Sequence, residues 1–301
     1  MKLISRASLH GAVSIVNAIA TGNGCALGIS LSVKAEIECN LGSGMVTLKD
    51  HDKNSFIEYV VRNSVPSSFF QKHDFLVKVI SEIPSGFGLK SSSAVSNAVS
   101  LACYGIPISP DNSEIDFTKV DEPCMIDDFK VLSAAVSASR QAGVTITGAY
   151  DDATACYFGG FVITKNFLNF LVKREESDEN LYAVILIPQH KSRSENIQNL
   201  KILKSLFDEL FQIANKGSYW NAMNMNGILI ASLLYQDKLP LLMTTIENGA
   251  IGTSISGNGP AIVAIVDNER LSNITTIYDE YGKVLISKIS NQKAKVERSV
   301  G

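Results

Sequence analysis

Residues 83–97 read Ile83-Pro84-Ser85-Gly86-Phe87-Gly88-Leu89-Lys90-Ser91-Ser92-Ser93-Ala94-Val95-Ser96-Asn97, and the fold turns on how this stretch is read. Ahead of it, residues 75–80 (Phe-Leu-Val-Lys-Val-Ile) alternate and branch as a strand does. Behind it, Ala94, Val95, Ala98, Val99, Leu101 and Ala102 recur at helical spacing. The unit is therefore strand, glycine-rich turn, helix. Pro84 closes the strand, and Gly86 and Gly88 permit positive φ and a close backbone approach to a ligand. Ser91, Ser92 and Ser93 stand at the helix start as N-cap candidates. Unpaired N–H groups and the positive end of the helix dipole suit a phosphate there, and Lys90 adds a full charge. A plain serine-capped loop needs only a serine. Lys90, three hydroxyls and two glycines within one turn favour phosphate.

The whole chain narrows the class. Its 301 residues suffice for one large domain or two medium ones. Hydrophobic residues make up 46% and charged residues 19%, which excludes a disordered chain. A net charge of −3, with no Lys/Arg-dense face, argues against a nucleic-acid partner. No apolar run approaches the ~20 residues of a membrane span. The five cysteines (Cys25, Cys39, Cys103, Cys124, Cys156) and four histidines are scattered, without metal-ligand spacing, as expected of reduced thiols in a cytoplasmic protein. Lys2 and Arg6 ahead of the apolar residues 12–20 imitate an export signal, but Ser14 and Asn17 interrupt that run, so retention in the cytoplasm is expected.

In chain order, residues 3–9 fit an edge strand. Residues 11–28, rich in small residues and glycine, read from composition as a buried helix and turn. Residues 29–39 alternate as a half-buried strand, and residues 45–48 are expected to pair with them as a hairpin. Asn54 is a cap candidate for a short amphipathic helix. Residues 126–141 are helical, with Gly143 as the C-terminal cap.

Residues 142–161 form the second informative stretch. Asp151 and Asp152 follow a Thr/Gly loop and precede a small-residue helix and Gly159-Gly160. Two adjacent carboxylates at a helix start can be a cap and a dipole partner. They can equally serve an acceptor hydroxyl, and the pattern does not choose. Residues 160–164 and 167–172 suggest a hairpin around Lys165-Asn166. Residues 174–180 are polar and mark a domain boundary, and residues 181–187 a buried strand. His190 to Arg193 is a basic loop able to take a carboxylate or phosphate. Residues 202–215, 219–235 and 239–247 are three helices. Gly257-x-Gly259-Pro260 turns into a strand, about 170 positions after the phosphate loop. The tail after Ser290 is polar and expected to fray.

The loop resembles the P-x-x-x-G-L-x-S-S-[AS]-A segment of the GHMP kinases, with Pro84, Gly88, Leu89, Ser91, Ser92 and Ala94 in the matching positions. Lys90 departs from the Gly or Ser usual there. Gly-Leu-Lys-Ser-Ser-Ser-Ala, Asn-Ala-Ile-Ala-Thr-Gly near the N-terminus, Thr-Gly-Ala-Tyr-Asp-Asp and Tyr-Trp-x-Ala-Met-x-x-Asn-Gly look like the archaeal-type shikimate kinases of that superfamily. The resemblance implies an α+β fold in two halves, residues 1–175 and 176–301, with the active site in the cleft between them. It implies phosphorylation of the shikimate 3-hydroxyl by ATP with Mg²⁺. ATP would be bound by Ile83, Pro84, Ser85, Gly86, Phe87, Gly88, Leu89, Lys90, Ser91, Ser92 and Ser93, with Gly257 and Gly259 beside them. Ser91 or Ser92 would be the metal ligand. Asp152 or Asp151 would be the catalytic carboxylate; Asp152 fits the mevalonate kinase spacing to Gly159, and Asp151 the Asp-Asn of homoserine kinase. Arg6, Arg140, Lys191 and Arg193 are candidates for the substrate carboxylate. Another small-molecule GHMP kinase, acting on homoserine or mevalonate, or a non-catalytic nucleotide sensor are the alternatives.

Overall fold

A computed structural model describes residues 2–49, 55–189 and 196–301. Asn54 and the basic loop with Lys191 and Arg193 lie outside the described residues.

The first half lays helices on one face of a large sheet. Its elements are β1 (Leu3–Val16), β2 (Asn23–Leu41), β3 (Val46–Leu48), α1 (Ser55–Ser64), α2 (Ser67–Phe70), β4 (His73–Ser81), α3 (Ser91–Tyr104), α4 (Asp128–Gln141), α5 (Tyr150–Phe158), β5 (Phe161–Lys165) and β6 (Phe170–Glu175). The second half has β7 (Tyr182–Pro188), α6 (Lys204–Asn215), α7 (Tyr219–Leu234), α8 (Leu239–Glu247), β8 (Gly252–Ile255), β9 (Ile262–Val266), α9 (Asn268–Asp279), β10 (Gly282–Lys288) and β11 (Lys295–Val300). The small sheet runs β10-β7-β9-β8. The large sheet runs β11-β1-β2-β4-β3, with β5 pairing the N-terminal part of β2, and β6 pairing β5. This mixed α+β architecture agrees with the fold class expected of the sequence.

Four local expectations are corrected. Residues 11–28 are not a helix: β1 continues to Val16 and β2 starts at Asn23. Small side chains are needed there because both faces of these strands are covered; residues 11–16 are all buried. Nor is β1 an edge, because β11 pairs alongside it from Leu3–Val300 to Ser8–Lys295. In the tail after Ser290, Lys295–Val300 is thus an edge strand rather than a frayed end, and its polarity reflects exposure on one face. Finally, β3 pairs parallel with β4 and not with β2. The flank of β2 is taken by β4, and the Asp74 carboxylate accepts the Ser43 and Met45 N–H groups, both at 2.8 Å, turning the chain beyond it.

The two halves meet at α7, which packs on β1. Tyr219 of α7 stacks on Phe161 at 3.8 Å between ring centroids and donates its hydroxyl to Glu175.

Candidate active site

α3 begins without a side-chain cap. Lys90 occupies the N-cap position in the left-handed region, φ 63°, and its side chain turns inward. The first N–H groups of α3 therefore remain available to a ligand. Gly88, at φ +82°, is required sterically as well, since a Cβ there would collide with the Ser256 carbonyl oxygen. The loop thus rests directly on the Gly257-x-Gly259-Pro260 turn. Ser256 Oγ donates to the Gly88 carbonyl at 3.0 Å, and the Ala261 N–H to the Phe87 carbonyl at 3.2 Å. Beneath them lies a buried polar framework. The Ser14 hydroxyl accepts the Gly257 N–H, Asn17 Nδ2 donates to the Gly257 carbonyl, and Asn226 accepts the Asn17 N–H while donating to Ser254. Every polar group in this framework is paired, as burial demands.

α5 supplies the facing wall. It also starts at a left-handed residue, Ala149 (φ 49°), without a side-chain cap. Lys90 Nζ lies 2.8 Å from Asp152 Oδ1, and the two side chains are only 5% and 17% exposed. A loop lysine ordinarily stays out of the interior; here a buried ammonium is tolerated because a carboxylate is there to meet it. Burial alone would lower its pKa, but Asp152 and then Asp151 outweigh that and raise it, keeping Lys90 charged. Asp151 is buried; desolvation, and then the charge of Asp152, push its pKa up to about 7 against the opposing pull of Lys90. Gly24 makes room for it, since a Cβ there would strike the Asp151 carboxylate.

These elements enclose a cavity of about 250 Å³. Its floor and one wall are Ser85, Gly86, Gly88, Leu89, Lys90 and Ser91–Ser93, with Gly257 alongside; Asp151 and Asp152 lie opposite. Ser14, Asn17 and the loop at 143–147 complete it. Ile83, Pro84, Phe87 and Gly259 do not line it. Ile83 is buried, and Gly259 makes way for Tyr235, whose hydroxyl donates to the Asn258 carbonyl at 2.5 Å. Arg6 is outside on β1, donating to Glu36 and Ser299. Arg140 donates to the Asn166 carbonyl and Asn169 Oδ1. Among the described residues no three His, Cys, Asp or Glu gather into a metal site. Ser91 and Ser92 line this cavity, and hydroxyl and phosphate oxygens are donors that fit Mg²⁺, which retains water and substrate phosphates.

The site also recruits Ser14 and Asn166, which no motif contains, and Asn17 and Thr147, which open two of the quoted motifs but were given no role there. Asn226 is the asparagine of the Tyr-Trp-x-Ala-Met-x-x-Asn-Gly segment, which assigns it no role of its own. The detectable signal for Ser14 and Asn17 was a polar residue inside an otherwise apolar run; Thr147 and Asn166 sit in loop and turn sequence and carry no such signal.

The GHMP kinases N terminal domain model matches residues 56–160. The chain is 33% identical to the shikimate kinase of Methanobrevibacter smithii, over 93% of this chain and 95% of that relative. It is 34% identical to that of Methanothrix thermoacetophila, over 96% and 95%. It is 33% identical to that of Pyrococcus furiosus, over 92% and 96%. Among solved structures, the mevalonate kinase of Methanococcus jannaschii superposes with a TM-score of 0.67 at 15% identity, over 95% of this chain and 98% of that one. A homoserine kinase from Cytophaga hutchinsonii gives 0.62 at 15% identity, over 97% of each.

Proposed function

The chain belongs to the GHMP kinases and, within them, to the family of the archaeal shikimate kinases, and on that premise we propose that it transfers the γ-phosphoryl group of ATP to the 3-hydroxyl of shikimate. It is an ATP-dependent small-molecule kinase. The observation that carries the site assignment is the Lys90–Asp152 pair, which joins the phosphate loop to the opposite wall of one cavity. The N–H groups at the start of α3 take the β- and γ-phosphates, with the loop at Gly257 behind them. The acceptor oxygen bonds to the γ-phosphorus as the bond to the β–γ bridging oxygen breaks, and ADP leaves. Asp152 orients the hydroxyl and receives its proton, while Lys90 places positive charge beside the group in transfer. Asp151, more deeply buried, lies beside Asp152 in the same cavity wall. Mg²⁺, held by Ser91 or Ser92 with the phosphate oxygens, would neutralise charge developing on the phosphates.

The halves 1–175 and 176–301 form the two sides, with β11 crossing back to the first. No helix among the described residues is long and apolar enough to cross a membrane. We place the enzyme in the cytoplasm, consistent with five cysteines in free thiol form.

ADP release measured with shikimate, homoserine and mevalonate tests this reading. Turnover with shikimate is expected to exceed the others by at least about a hundredfold, because a site that pairs several hydroxyls leaves polar groups unpaired with the wrong ligand. Comparable turnover with homoserine would overturn it.

A further inference from the structure

One fully buried neighbour of the aspartates has no place in that reaction. Asn166 follows β5 in the turn of the β5–β6 hairpin, where an asparagine ordinarily faces water. Its carboxamide instead makes four hydrogen bonds. Oδ1 accepts the Asp151 N–H at 3.0 Å and the Thr164 hydroxyl at 2.7 Å. Nδ2 donates to Asp151 Oδ1 at 2.7 Å and to Thr147 Oγ1 at 3.1 Å. The end that meets a peptide N–H must be the oxygen, so the end that meets the carboxyl group is the NH₂. An aspartate here would set oxygen against oxygen. The main chain is held too: the Asn166 N–H donates to Gly22 at 2.7 Å, and its carbonyl accepts from Arg140 at 3.1 Å.

We propose that Asn166 is a positioning residue of this active site: it locks the Asp151 carboxyl group against the Lys90–Asp152 pair, ties it to Thr147 in the cavity wall, and thereby sets the pH range in which the enzyme works. This rests on the reading above, in which the two aspartates serve the reaction. The ionisable groups facing Asp151 are Asp152 and Cys156 from α5, Lys90 from the start of α3, and Cys25 from β2. Burial holds both thiols neutral by raising their pKa values. Arg140 reaches only the main-chain carbonyl of Asn166 and the side chain of Asn169. Asn166 is therefore the neutral side-chain donor, beside the Asp152 main-chain N–H, that favours the ionised form of Asp151 in a site where burial opposes it.

The test is kcat/KM for shikimate against pH in the wild type, Asn166→Ala, Thr164→Val and Asp151→Asn, each with KM for ATP and a thermal midpoint. Asn166→Ala should move the acid limb upward by about one pH unit, lower kcat, and leave KM for ATP within about twofold. Thr164→Val removes a hydrogen bond from Asn166 and none from Asp151, and should move the limb the same way by less. Asp151→Asn should abolish this limb. A folded Asn166→Ala with an unmoved limb, beside an Asp151→Asn that loses it, overturns the role of Asn166 and leaves Asp151 in the site. An Asp151→Asn with the wild-type profile overturns both. Should Asn166→Ala fail to fold, Thr164→Val decides: an unmoved limb rejects the proposal.

Discussion

Two helices begin at the cavity, alike in backbone and opposite in chemistry. α3 starts from Lys90 and α5 from Ala149, both left-handed and both without a side-chain cap. The first turn of α3 contains three serines and no acid, so its positive dipole end is left for an anion from outside. The first turn of α5 holds Asp151 and Asp152, so its dipole is matched from within. On the function proposed above, one helix start receives phosphate, and the other supports carboxylates that act on an uncharged hydroxyl. The Lys90–Asp152 pair joins them, and each prediction below strains one side of that contrast.

The largest effect is expected at α5. Asp152→Asn keeps the shape of the residue but removes the proton acceptor, so kcat should fall by roughly 10²–10⁴-fold. The thermal midpoint and KM for ATP should change little by comparison. Near-full kcat in this variant would mean that α5 contributes geometry alone, and the contrast between the helix starts would collapse.

On the α3 side, Lys90→Ala should lower kcat/KM for ATP by about 10- to 150-fold, the equivalent of roughly 1.5–3 kcal/mol for one charge-assisted contact. Because Lys90 is buried against Asp152, the thermal midpoint should fall as well, as it would for any buried pair that loses one partner. An unchanged midpoint with reduced ATP use would show the ammonium engaged with phosphate rather than with Asp152. An unchanged kcat/KM would remove Lys90 from phosphate binding.

The candidate phosphate loop was legible because all of its chemistry is contiguous: a proline, two glycines, a lysine and four serines within eleven positions, between a period-two strand and a helix. The adjacent aspartates were legible as candidates, but their difference was not. What separates them is Lys90 on one and Asn166 on the other, contacts that span the sequence from one element to another. Asn166 itself reads locally as a turn residue, because the pattern cannot show that Thr147 and Asp151 close over it. The stretch at 11–28 misled for a different reason. Small residues suit a tightly packed helix and a doubly covered strand equally, and only the packing of α3, α5 and α7 on β1 decides between them. The polar tail likewise hid an edge strand, whose alternation is too weak to separate from a frayed end.

The smallest effect concerns stability and concerns Asp151. Its carboxyl group titrates near 3.8 when unperturbed and near 7 in the folded protein, raised chiefly by burial. Between those values the folded state retains a proton that the unfolded state has released. Stability therefore declines as pH rises through that window and levels off above it. Asp151→Asn, which has nothing to ionise and can still accept from Asn166 through its carbonyl oxygen, should escape the decline. At pH 8 the variant should melt above the wild type, by roughly 2–4 °C for each kcal/mol recovered. The advantage should shrink as the pH is lowered and vanish near pH 4. Thermal midpoints of both proteins across this range are the measurement. A variant that is less stable at pH 8 would show that the Asp151 charge is needed to hold Lys90 in the interior, and that α5 stabilises the phosphate loop through both aspartates rather than through Asp152 alone.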